Sequence, residues 1–129
     1  MHCILVTPEA TLRDEEADFV ALPLFDGEIG IAPGHSPLIG RMGYGEMRIR
    51  RGQKTERFYV EGGFVQVLKD TISVLSNRAL PAAAVDAAAA EALIQSTLTE
   101  PAHTPESLAI RQRTLDQARA QLLVARRAE

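Results

Sequence analysis

The chain has 129 residues, 46% hydrophobic and 24% charged, a globular composition with room for one compact core and a small appendage. Length alone excludes a TIM barrel or a two-domain dinucleotide-binding enzyme. Fourteen Lys and Arg against seventeen Asp and Glu give a net charge of -3, with no domain-wide basic surface to follow a phosphate backbone, so no nucleic-acid partner is expected.

A single cysteine, Cys3, forbids an internal disulfide and fits a reducing compartment. Met1 to Val6 lacks the basic start and long apolar core of a secretion signal. No stretch approaches about 18 uninterrupted apolar residues, because Asp86 and Glu91 break the alanine-rich run from Ala82 to Ile94. Any membrane association is therefore expected to run through partners.

From Ile4 to about Arg78 short apolar runs are punctuated by Gly, Pro and Asp, the pattern of strands joined by tight turns. Met47 and Ile49 alternate with Glu46, Arg48 and Arg50, and Phe64 to Leu68 and Ile72 to Leu75 supply two further β-rich runs. These read as a half-buried antiparallel sheet, with turns at Arg51-Gly52-Gln53-Lys54 and Lys69-Asp70. Several short strands in so few residues predict a flattened β-sandwich, because a single sheet would leave one face bare.

At Asn77 to Pro81 the texture changes to Ala, Leu, Gln, Glu and Arg, all good helix formers. A first helix is expected from about Ala82 to Leu98, with Val85, Ala89 and Leu93 on one stripe. Two prolines in Thr99 to Pro105 end it. Thr104 as N-cap and Pro105 at the first helical position predict a second helix to about Arg127, with Leu108, Leu115, Ala118, Leu122 and Ala125 inward. The short connection makes the two helices antiparallel neighbours. The expected class is α+β, with a sandwich over residues 1–80 and a helical hairpin over 81–129. Alanine buries little area, so Leu93, Ile94, Leu98, Leu115 and Leu122 are the expected anchors of a weakly docked hairpin.

Active-site chemistry is sparse. In Gly27 to Ser36, His35 stands where a phosphate loop needs lysine, Ile29 occupies the place of the first glycine, and no helix-forming run follows. Gly43-Tyr44-Gly45 begins a dinucleotide-like fingerprint, but Arg48 replaces its third glycine. Cys3 and His35 are the only candidate thiolate and base, and a buried, inert cysteine is the plainer reading. His2, His35 and His103 are scattered and give no zinc spacing, so no metal is expected. The acidic cluster Asp14, Glu15, Glu16 and Asp18 lacks calcium-loop spacing and reads as a solvated face. The second helix carries Arg111, Arg113, Arg119, Arg126 and Arg127, a basic element suited either to solvent or to an acidic partner segment. Together these features point to an interaction module.

Val6-Thr7-Pro8-Glu9, the string Asp26-Gly27-Glu28-Ile29-Gly30-Ile31-Ala32-Pro33-Gly34-His35-Ser36-Pro37-Leu38, and Val60-Glu61-Gly62-Gly63-Phe64-Val65 with Val74-Leu75 resemble the epsilon subunit family of F-type ATP synthases. The likeness covers Ile4 to Leu75 closely and the tail by architecture. It implies a non-catalytic subunit of the central rotor stalk that binds the gamma subunit and the c-ring, with Glu28 and His35 matching the family's c-ring-facing loop. It also implies a peripheral position on the cytoplasmic face of the inner membrane. In bacterial and chloroplast members the hairpin can extend into the catalytic head and inhibit hydrolysis, its basic residues meeting the beta subunit. Here Arg111, Arg113, Arg119 and Arg126 are the matching candidates. Some members bind ATP through an Ile/Leu-Asp-x-x-Arg-Ala motif, which here reads Val85-Asp86-Ala87-Ala88-Ala89-Ala90. Ala89 replaces the arginine, so no bound cofactor is expected. The competing expectation from the residues alone is a free-standing sandwich adaptor with a helical protein-binding tail.

Overall fold

A computed structural model describes residues 1–128. In chain order the strands are β1 (His2–Val6), β2 (Thr11–Glu16), β3 (Phe19–Leu24), β4 (Gly27–Ile31), β5 (Leu38–Arg41), β6 (Tyr44–Arg51), β7 (Lys54–Glu61), β8 (Phe64–Leu68), β9 (Thr71–Leu75) and β10 (Arg78–Pro81). They form two five-stranded sheets, A in the order β2-β1-β9-β8-β5 and B in the order β10-β7-β6-β3-β4. A single 3-10 turn (Ala82–Ala84) leads to α1 (Ala87–Thr99) and α2 (Pro105–Ala128). The expected architecture, a sandwich followed by a two-helix hairpin, is the one observed.

Alternation along each strand puts one side-chain set between the sheets. Cys3, Leu5, Val65, Val67, Ile72 and Val74 from sheet A meet Val20, Leu22, Met47, Ile49, Phe58 and Val60 from sheet B. Each such large side chain contributes roughly 1.5–3 kcal/mol on burial. Arg13 of β2 reaches across to β7, donating from Nε and Nη2 to Glu56 Oε2 at 2.9 and 2.6 Å and lying over the Phe58 ring. This closes one open side of the sandwich.

The turns use the chemistry expected of them. Lys69 and Asp70, at φ 50° and 58°, form the left-handed pair of a two-residue hairpin between β8 and β9, and Gly52 at φ 62° turns β6 into β7. The sheets are not wholly antiparallel, however. β1 runs parallel to β9, with Cys3 opposite Ile72 and Leu5 opposite Val74, because the chain crosses to sheet B and returns before β9 is laid down. The glycine-rich segment also divides: residues 27–31 are edge strand β4, with Ile29 and Ile31 turned inward, and only residues 32–37 form a loop.

The first helix starts later than its alanines suggest. Val85 is extended and Asp86 is the N-cap, its Oδ1 accepting from the Ala89 N–H at 3.0 Å. That side-chain bond stops the alanine run from extending the helix backward. Its inward residues are Ala90 and Thr97, so the expected stripe of Val85, Ala89 and Leu93 is out of phase; Ala89, Leu93 and Leu98 face solvent. In α2, Leu115, Ala118, Val124 and Ala125 are buried and Leu122 is half-buried, whereas Leu108 is exposed. The buried positions of the hairpin thus mix small residues, Ala90, Thr97, Ala118 and Ala125, with the larger Leu115 and Val124. Thr104 caps α2 as expected, its Oγ1 accepting from the Ser107 N–H at 3.1 Å while Ser107 Oγ accepts from the Thr104 N–H at 3.0 Å.

The hairpin lies on the outer face of sheet B, with α2 across β6 and β7. Tyr59, Ala82 and Val124 make a second, small core there, flanked by Leu80, Val85 and Ala120. Among the described residues no helix is long and apolar enough to cross a membrane.

Candidate partner-docking surfaces

The outer faces of the two sheets differ. Sheet B carries the hairpin. Among the described residues no helix packs on sheet A, and strand register lines up Arg41, Phe64, Leu75 and Val6 in one row across it. Phe64 is 58% exposed, Leu75 57% and the nearby Ile39 75%. At the end of the sandwich this row runs into an open groove of about 950 Å³ whose walls include Phe25, Tyr44, Asn77 and, from α2, Asp116 and Arg119. The groove floor explains the Gly62-Gly63 pair. Gly63 has φ 91°, and a Cβ there would lie 1.8 Å from the Leu75 carbonyl oxygen, so only glycine fits.

Glu28 and His35, neighbours in one sequence motif, are not brought together. Glu28 lies on strand β4 rather than in a loop, near the β3–β4 turn, and accepts from Arg48 Nη2 of β6 at 2.7 Å. His35 lies beyond the other end of β4, half-buried, with its Nδ1–H donating to the Ser36 carbonyl at 2.7 Å. The loop is pinned by the His35 N–H donating to the Ala32 carbonyl at 3.2 Å and the Gly34 N–H donating to Asp70 Oδ1 at 2.8 Å. It therefore presents a fixed shape beside the β8–β9 turn.

The arginines of α2 do not form one stripe. Arg111 is half-buried and donates from Nη2 to the Leu98 carbonyl at 3.2 Å, fastening the end of α1. That contact gives it a structural task the charge count did not reveal. Arg113, Arg119 and Arg126 are exposed, and Arg119 and Arg126, a heptad apart, share a face from which Arg113 is displaced.

At the degenerate nucleotide motif, Asp86 is occupied as the α1 cap, Val85 packs toward Tyr59, and Ala90 is buried. Ala89 lines a cavity of about 150 Å³ together with Tyr59, Arg78 and Gln121. That is well below the roughly 300–1,000 Å³ of ligand pockets.

Cys3 is wholly buried between the sheets, and this desolvation, with the nearby charge of Glu15, pushes its thiol up to about 12. It supplies no thiolate nucleophile near neutral pH.

One residue escaped sequence reasoning. Glu46 alternates correctly with Met47 and so reads as solvated, yet it is 5% exposed, because α2 covers the face it occupies. Its Oε1 accepts from Arg48 Nη1 at 3.2 Å and lies 3.7 Å from Arg57 Nη1, while its Oε2 is buried without a partner. Arg48 thus bridges two carboxylates. Glu28 is the stronger influence in raising its pKa, ahead of Glu46.

The comparisons with known proteins agree with this architecture. Residues 1–82 match the family described as ATP synthase, Delta/Epsilon chain, beta-sandwich domain. The chain is 44% identical over 126 residues to the ATP synthase epsilon chain of Rhodopirellula baltica, covering 98% of each. It is 37% identical over 123 residues to that of a Synechococcus strain, covering 93% of this chain and 88% of the relative. A chain of the Euglena gracilis mitochondrial ATP synthase structure (OSCP/F1/c-ring) superposes with TM-score 0.85 at 16% identity, over 96% of this chain and 79% of that one. One from the Tetrahymena thermophila central stalk/c-ring structure gives 0.77 at 13%, over 96% and 95%. At those identities the superpositions speak to fold alone, whereas the sequence matches identify the lineage: the chain belongs to the ATP synthase epsilon chain family, a stalk subunit of the complex rather than a catalytic one.

Proposed function

We propose that this subunit clamps the rotor shaft with its sandwich and brakes ATP hydrolysis with its hairpin, so helping to couple ion flow to ATP synthesis. The carrying observation is the unequal cover of the two sheets: α2 spans sheet B, while Ile39, Phe64 and Leu75 stand open on sheet A, with half-buried Val6 at the end of their row, beside a large groove. An uncovered apolar row of this kind suits a protein interface. We assign it to the gamma subunit, with Phe64 and Leu75 as its centre. The pinned loop around His35 suits a contact with the c-ring, and Glu28 belongs to the same proposal only as a strand-edge residue. Arg113, Arg119 and Arg126 are the hairpin residues free to meet an acidic segment of the beta subunit; Arg111 is held by Leu98. Membrane association follows from the complex, peripheral to the inner membrane on its cytoplasmic face.

The test is reconstitution with gamma and the catalytic head. Phe64→Glu should abolish co-purification with gamma while leaving the chain folded, since its side chain lies outside the core. Deleting residues after Pro81 should raise ATP hydrolysis by the assembled enzyme. Tight gamma binding by Phe64→Glu would remove sheet A from the clamp, and unchanged hydrolysis without the hairpin would remove the brake.

A further inference from the structure

We propose that Glu46 sets how firmly the hairpin docks on sheet B, and that Glu28 tunes this from the sheet edge through the arginine the two carboxylates share, Arg48. The inference rests on the hairpin being able to leave the sheet, as in the function proposed above.

Docking α2 across β6 takes the Glu46 carboxylate out of water. A buried carboxylate is tolerated when both oxygens are served, and here they are not. Oε2 has no partner, and Oε1 receives one long hydrogen bond from Arg48. Arg57, at 3.7 Å, is a charge neighbour only. The hydroxyl of Tyr59, the residue paired with Glu46 across the strands, is given instead to Glu61 Oε1 at 2.8 Å.

Undocking would rehydrate Glu46, so its charge works against the closed state. A neutral residue of similar size removes that opposition. Arg48 is divided between the two carboxylates, 2.7 Å to exposed Glu28 and 3.2 Å to buried Glu46. Neutralising Glu28 leaves the guanidinium free to turn toward Glu46 and lower the cost of burying it. Anything that engages Glu28 at the β4 edge would act in the same direction, making Glu28-Arg48-Glu46 a short electrostatic link between the sandwich edge and the hairpin.

The full-length chain alone suffices for the test, by hydrogen exchange of the amides from Leu115 to Ala125 with the amides of β6 to β9 as internal reference. Glu46→Leu should slow exchange in α2 about tenfold, the scale of relieving one unsatisfied buried charge, and leave the strands unchanged. Glu46→Gln, which keeps the shape and removes the charge, should move it the same way. Glu28→Gln should slow it about threefold, the scale of an exposed ion pair, and should do nothing in the Glu46→Leu background.

Exchange in α2 that is unchanged or faster in both Glu46 variants overturns the proposal. So does a Glu28→Gln effect that persists without Glu46. Neither result touches gamma binding or hydrolysis, so failure here leaves the rotor assignment standing.

Discussion

Between its sheets the chain buries Phe58, Leu5, Leu22, Met47 and a series of valines and isoleucines, whereas the hairpin meets sheet B largely through alanines, with Val124 and Tyr59 as its larger contacts. Both regions are close-packed, but the first removes far more apolar area from water per residue. The lesson is that one chain carries two stabilities. The sandwich should open only on global unfolding, while the hairpin can detach as a separate, cheaper unit.

The largest test of that division is Phe58→Ala. Phe58 is 2% exposed at the centre of the sandwich, so its truncation should cost about 3–5 kcal/mol and lower the denaturant midpoint of the whole chain. If only the hairpin loosened, the two regions would not be independent as argued. Next in size is Ala118→Leu. Ala118 is fully buried in α2, and the added bulk should cost about 1–3 kcal/mol, all of it in docking. Hydrogen exchange should quicken in α1 and α2 and stay unchanged in β6 to β9. Equal quickening in the strands would merge the two units into one.

The sandwich was the more legible region because each strand reports its own inward face. Met47 and Ile49 alternate with charges, and that alone turns them toward the core. Thr104-Pro105 likewise announced the start of α2 through local capping chemistry. The alanine run was harder to phase, since alanine is indifferent to burial; Leu93 looked like an anchor and faces solvent. The parallel pairing of β1 with β9 was hidden for a different reason, because partners so distant in sequence leave no local mark. Glu46 shows the same limit at the candidate site. Alternation tells which face of a strand a residue takes, but not that a helix some seventy residues later will cover that face. Val6, Phe64 and Leu75 stood in quoted motifs, yet their common row exists only once the register is known.

The smallest expected effect is a pH dependence belonging to the sandwich alone. His2 on β1 faces Asp14 and Glu16 of β2, its Nε2 bonded to Asp14 and its Nδ1 3.2 Å from Glu16 Oε1. These bonds, Asp14 first and then Glu16, raise the imidazole pKa above its ordinary 6.5. Folding therefore favours the protonated ring. The contribution is fully present below the unfolded value and is lost as pH rises through the higher folded one. The same contact with His2 lowers the pKa of Glu16, whose contribution is present above its unfolded value and fades as pH falls through the folded one. The pair is thus intact between the ordinary values of Glu16 and His2 and weakens as pH rises above 6.5 through the raised His2 value. Wild-type stability to denaturant should decline slightly across that upper window, and His2→Ala should flatten the decline. Because the groups are exposed, about 1 M salt should erase the difference. Exchange in α2 should not register it, since the contact lies on sheet A, away from the hairpin. An identical slope in His2→Ala would assign the decline to other groups, and a slope that appeared in α2 would couple the two regions more tightly than their packing implies.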